Sequence, residues 1–120
     1  MKKILIVDDQ PSIANVLGDI LEEGNFEVIN AVNGEAGIAK AKSEKPDLIV
    51  MDIMMPIKDG ITAIRELREL DEFKNIPIFI LSAKGEMRDE NLIKELKVIG
   101  FINKPFSPTI ILEEIEKVLA

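Results

Sequence analysis

Leu48-Ile49-Val50-Met51, followed at once by Asp52, is the stretch that decides the fold. The run is too short for a helix. It is also too uniformly apolar for a strand with one wet face, so it reads as a central strand of a parallel sheet covered on both sides. Ile4 to Val7 and Ile78 to Leu81 read the same way. Glu27 to Ala31 and Phe101 to Asn103 are weaker candidates, either more exposed strands or shorter ones. Between these five runs the hydrophobic period turns helical. Ile13, Val16, Leu17, Ile20 and Leu21 form one stripe, and Gly24 with Asn25 supplies a stop. Further helical segments are read over Gly34 to about Ser43, Ile61 to Leu70, Arg88 to about Leu96, and Pro108 to Leu119, the last with Ser107 as N-cap.

Strict alternation of strand and helix implies right-handed crossovers and a parallel sheet. At 120 residues an open doubly wound sheet fits better than an eight-stranded barrel. The expected architecture is α/β, a single (βα)5 domain spanning residues 1–120 that buries roughly 65% of its unfolded surface.

Composition removes several chemistries. There is no Cys, hence no disulfide, thiolate metal site or cysteine nucleophile, and a cytoplasmic setting is expected. With no His, imidazole bases, His-ligated zinc and His-dependent triads are excluded. A net charge of −7 argues against direct nucleic-acid binding. No apolar run approaches the ~20 residues needed to cross a bilayer, so no membrane partner is expected. Carboxylates, hydroxyls, lysines and backbone groups remain.

In a doubly wound sheet, ligands bind beyond the carboxyl ends of the strands. Asp8 and Asp9 follow the first strand, Asp52 the third, Ser82 the fourth and Lys104 the fifth. If the first and third strands are neighbours, about 4.8 Å apart, three carboxylates gather. They can all ionise only beside compensating positive charge, which a hard divalent ion such as Mg²⁺ and a lysine supply. Those are the parts of a phosphoryl-transfer site. Taken singly each has a plainer reading: a helix cap for Asp8 or Asp9, a helix-entry residue for Ser82, a solvated amine for Lys104. Asp47 and Asp59 sit among turn residues and are assigned no chemistry.

At these positions the sequence resembles the receiver domain of two-component response regulators. The resemblance covers the whole chain: Ile4 to Asp9; Leu48 to Asp52 followed by Met55, Pro56, Asp59 and Gly60; Leu81-Ser82-Ala83; and Lys104-Pro105-Phe106. It implies a flavodoxin-like sheet of order 2-1-3-4-5. It further implies that Asp52 is the phosphoacceptor and takes a phosphoryl group from a phosphohistidine on a sensor histidine kinase. Asp9, Asp52 and the main-chain carbonyl of Met54 then resemble the Mg²⁺ ligands, with Asp8 nearby. Lys104 resembles the lysine that pairs with the phosphoryl oxygens, joined to Pro105 by a cis bond. Ser82 and Phe101 resemble the coupled switch pair whose rearrangement alters a surface read by an output protein or a fused effector domain. The implied role is a signalling switch and not a turnover enzyme, monomeric or dimerising on phosphorylation.

Departures from the family's pattern stand out, one of them Phe101 in place of an equally familiar Tyr, with the loss of a hydroxyl. Lys97 and Val98 occupy the places of a common Gly-Ala pair, which predicts a differently shaped end to the fourth helix. Lys58 replaces a commonly apolar residue. Met54 and Lys84 lie where side chains govern access of water to an acyl phosphate, and the apolar Met54 is expected to limit it. Two other classes compete. A haloacid-dehalogenase-like phosphatase needs an acid where Met54 stands. A flavodoxin-like cofactor binder would place flavin phosphate against the carboxylates of Asp8 and Asp9. A purely structural or interaction role applies if Asp52 is never phosphorylated.

Overall fold

In a computed structural model of the chain, which describes residues 1–55, 57–83 and 90–120, five parallel strands form one sheet. They are β1 (Lys3–Val7), β2 (Glu27–Ala31), β3 (Leu48–Asp52), β4 (Ile78–Ala83) and β5 (Gly100–Lys104). The sheet order is β2-β1-β3-β4-β5, as expected. The helices are α1 (Pro11–Glu23), α2 (Gly34–Glu44), α3 (Gly60–Arg68), α4 (Glu90–Leu96) and α5 (Pro108–Leu119). Pro56, Lys84 and Arg88, named in the sequence reading, lie outside the described residues, as does the side chain of Ala83.

The uniformly apolar runs are buried on both faces because successive residues feed two separate cores. Leu5, Val7, Ile49, Met51, Ile78 and Ile80 pack with Ala41 of α2, Ile64 and Leu67 of α3 and Leu96 of α4. Ile4, Ile6, Leu48, Val50, Phe79 and Leu81 pack with Leu17 and Leu21 of α1 and Ile111 and Ile115 of α5. β2 and β5 are the edges of the sheet, which explains the weaker apolar signal of their sequences. Asp52, Ser82 and Lys104 prove to be strand residues and not the residues that follow strands.

Two helix ends differ from the sequence reading. α3 stops at Arg68 instead of running to Leu70, and a short 3-10 turn over Asp71–Phe73 follows. α1 ends at Glu23, and it is Asn25 (φ 68°), not Gly24 (φ −82°), that takes the left-handed conformation. Ser107 caps α5 as expected, its hydroxyl accepting from the Ile110 N–H at 3.4 Å.

The end of α4 keeps a left-handed residue even without glycine. Lys97 adopts φ 56°, a conformation that costs an L-residue about 1–2 kcal/mol. Arg68 holds it there. Its guanidinium donates to the carbonyls of Leu96 (2.8 Å), Phe73 (2.7 Å) and Lys97 (3.0 Å), so one side chain at the end of α3 satisfies orphan carbonyls at the end of α4 and beside the 3-10 turn. Burial lowers the pKa of this guanidinium. Lys97→Gly removes the side-chain clash while keeping the Arg68 bonds. It should therefore stabilise the fold by about 0.5–1 kcal/mol after the extra chain entropy of glycine is counted. Urea unfolding should show a higher midpoint at unchanged slope.

Candidate functional site

The register of the sheet builds the site. Val7 lies opposite Met51, so Asp8 and Asp52 emerge side by side at the carboxyl edge. Asp52 lies opposite Leu81, which places Ser82 one residue further along β4. Ala83 in turn lies opposite Lys104. Carboxylate oxygens of Asp8, Asp9 and Asp52 come within 4.8 Å of one another. Asp8 and Asp52 are each 2% exposed, while Asp9 is more open to solvent. The long side chain of Lys104 reaches over β4 and brings its Nζ to 3.4 Å from both Asp8 Oδ2 and Asp52 Oδ2. The Lys104–Pro105 bond is cis. All of the acidic residues and the lysine singled out in the sequence therefore meet.

Neither Asp8 nor Asp52 is a helix cap. Asp8 Oδ1 accepts from the Gln10 N–H at 2.9 Å, bracing the turn after β1. Asp59 does cap α3, accepting from the Thr62 N–H at 2.9 Å, and Asp47 accepts from the Lys3 N–H at 2.8 Å, so both are structural as read. The loop after β3 is pinned by close backbone approaches. A Cβ on Gly60 would overlap the Asp52 carbonyl oxygen, so only glycine lets α3 begin against the site strand. The Gly60 N–H donates to the Ile53 carbonyl at 3.0 Å, and the Gly34 N–H to the Lys58 carbonyl at 3.1 Å. Lys58 turns its ammonium to Glu66 on α3, which accounts for a charged residue there. Ile57 sits in the left-handed region (φ 70°) with its side chain 78% exposed. For a β-branched residue that is a strained conformation.

Three carboxylates against one ammonium leave excess negative charge in a site with little access to water. Burial pushes the Asp52 carboxyl up to about 6, Asp8 adds to the shift, and Lys104 opposes it. Asp8 Oδ2 and Asp52 Oδ1 are buried without a hydrogen-bond partner among the described residues, and so is Ser82 Oγ. Buried carboxylate oxygens without a hydrogen bond, one of them only ion-paired at 3.4 Å, fit a hard divalent cation. Met54, two residues past Asp52, is 66% exposed, and Phe101 packs half-buried against the core on the α4 side of the sheet. The sequence reading missed Gln10, whose amide oxygen accepts from Lys104 Nζ at 3.2 Å. Its place between the acidic pair and Pro11 was the available signal.

The sequence model described as the response regulator receiver domain matches residues 4–116. The chain belongs to that family, the response regulator receiver domains of two-component signalling. Protein PilH of Pseudomonas aeruginosa is 38% identical over 120 residues, covering 100% of this chain and 99% of that protein. The alkaline phosphatase synthesis transcriptional regulatory protein PhoP of Bacillus subtilis is 46% identical over 107 residues, 89% of this chain but only 44% of its own length. Several other curated relatives are likewise spanned over about half their length or less. Among solved structures, the chemotaxis protein CheY4 of Vibrio cholerae superposes with a TM-score of 0.90 at 30% identity, over 98% of each chain.

The raised Asp52 carboxyl makes a prediction for the metal-free chain. Between the ordinary value of 3.8 and about 6, the folded state binds more protons than the unfolded state. Stability therefore falls as pH rises through that window, and the penalty is complete above it. With chelator present at about pH 7.5, Asp52→Asn should raise Tm by roughly 5 °C. The gain should shrink toward zero below about pH 3, where the carboxyl is largely protonated in both states. A lower Tm than wild type at pH 7.5 would contradict the electrostatic account.

Proposed function

We propose that Asp52 is the phosphoacceptor of a signalling switch, taking its phosphoryl group from a phosphohistidine on a sensor histidine kinase. The observation that carries this reading is the state of the Asp52 carboxylate. Oδ2 is held by Lys104 at 3.4 Å, while the buried Oδ1 has no hydrogen-bond partner among the described residues. In the transfer an Asp52 oxygen forms the new O–P bond. The P–N bond of the donor breaks, and its electron pair stays on the imidazole nitrogen. These 120 residues hold no His, so the donor imidazole lies outside them. Lys104 pairs with the phosphoryl oxygens and offsets their charge.

Asp8, Asp9 and Asp52, with the main-chain carbonyl of Met54, would hold Mg²⁺. When bound, that ion neutralises charge on the transferring group. The Ser82 hydroxyl, buried and without a hydrogen-bond partner among the described residues, is suited to a charge-assisted hydrogen bond that exists only after phosphorylation. Such a bond biases a pre-existing equilibrium, and Phe101 carries the change to the surface read by an output protein or a fused effector domain. The chain acts as a switch in the cytoplasm and not as a turnover phosphatase, since no acid stands at Met54. Among the described residues no helix is long and apolar enough to cross a membrane. Direct nucleic-acid binding is disfavoured by the net charge of −7.

Incubation with acetyl phosphate and Mg²⁺, followed by intact-mass measurement, should add one phosphoryl group. The adduct should be absent without Mg²⁺ and absent in Asp52→Asn. Labelling elsewhere, or labelling independent of metal, would refute the assignment. The lifetime of the adduct tests Met54 separately. Met54→Asn puts a polar amide two residues from the acyl phosphate, and decay followed by mass should be several-fold faster, whereas an unchanged lifetime removes any role for the thioether.

A further inference from the structure

Gln10 occupies the N-cap position of α1, where a short polar side chain ordinarily accepts a bond from the first turn. It makes no such bond. The helix start is secured by other means. Pro11, at the first helical position, has no N–H to satisfy, and the Gln10 carbonyl accepts from the Ile13 and Ala14 N–H groups at 3.1 Å. The side chain is thus spared from capping, and its Oε1 accepts from Lys104 Nζ at 3.2 Å. Meanwhile the backbone N–H of the same residue donates to Asp8 Oδ1 at 2.9 Å. One residue therefore ties the lysine on β5 to the acidic turn after β1.

We propose that Gln10 is a positioning residue that holds the Lys104 ammonium at the mouth of the acidic cluster, so that its donors meet the incoming phosphoryl oxygens. The inference rests on the phosphoacceptor reading of Asp52. Lysine ends in a compact charge on a flexible stem, and nothing in its own geometry fixes where that charge sits. The two carboxylate contacts of Lys104 are long, 3.4 Å each, and both pull it inward toward buried oxygens. The amide contact is the shortest of the three and comes from an exposed residue. It adds a third contact to the ammonium, from the solvent-exposed side chain. Being neutral, it holds the ammonium without cancelling its charge, which a carboxylate in the same place would do. Gln10 also stands outside the set of acids that would hold Mg²⁺, so its effect on the lysine is separable from metal binding.

Gln10→Met keeps the length of the side chain and removes the acceptor. In the metal-free protein the Lys104 side-chain NMR resonance (13Cε) should move relative to wild type. With Mg²⁺ present, affinity for beryllofluoride, a phosphoryl stand-in, should fall about 3–10-fold, the scale of one hydrogen bond to a charged group partly replaced by water. The rate of phosphoryl uptake from acetyl phosphate should fall by a similar factor. Mg²⁺ affinity by calorimetry and Tm should match wild type, which a merely structural role would not allow. An unmoved Lys104 resonance with wild-type beryllofluoride affinity overturns the proposal, and so does a loss of Mg²⁺ affinity or Tm in proportion to the loss of uptake. If wild type takes up phosphoryl groups and Gln10→Met keeps pace with it, this inference alone fails. If wild type takes up none, the phosphoacceptor reading fails and this inference falls with it.

Discussion

Like charge held together at one end of a parallel sheet is the constraint on which the rest depends. Oxygens of Asp8, Asp9 and Asp52 lie within 4.8 Å of one another, and two of the three residues are almost wholly buried. Such a cluster is costly in isolation, because burial and mutual repulsion both oppose ionisation. It persists because the strands beneath it are anchored by two apolar cores, one on each face, whose burial does not depend on the site. The ammonium of Lys104 removes part of the cost. What remains is an excess of negative charge and two buried oxygens without a hydrogen bond among the described residues, which makes the site responsive to cations and to any group bonded to Asp52.

The backbone around that cluster approaches it closely. Gly60 lets α3 start in contact with the Asp52 backbone, and Gly34 ties the start of α2 to the same loop through the Lys58 carbonyl. Strain collects in the loops: Ile57 and Lys97 both adopt left-handed conformations that glycine would take without cost. At Lys97 the compensation is visible in the three bonds of Arg68, which link the ends of α3 and α4. A charged side chain thus supplies at the end of α4 some of the order that a glycine would have given by its own freedom.

Much of the fold was legible because burial on both faces leaves a strong mark on sequence. β1, β3 and β4 announce themselves as apolar runs, and α1 and α5 as single stripes. The acidic pair, Asp52, Ser82 and Lys104 were legible as candidates because each lies at or just past the carboxyl end of an apolar run. Their meeting was a conditional expectation until β1 was found beside β3. The end of α3, the 3-10 turn at Asp71–Phe73 and the left-handed turn at Lys97 were not legible. Each is settled by long-range partners such as Arg68 with Leu96, and local propensity carries no record of them.

The amino-acid sequence alone determined the alternation of strand and helix, the double burial of the central strands and the identity of the acids and the lysine. These follow from hydrophobic period and residue chemistry, which are local quantities. Tertiary structure decided which of those groups touch, that Gln10 reaches Lys104 instead of capping its helix, and that Asp52 Oδ1 has no hydrogen bond among the described residues. Distances between side chains on different strands depend on register and on the path of each loop, and those are fixed only when both faces of the sheet have packed.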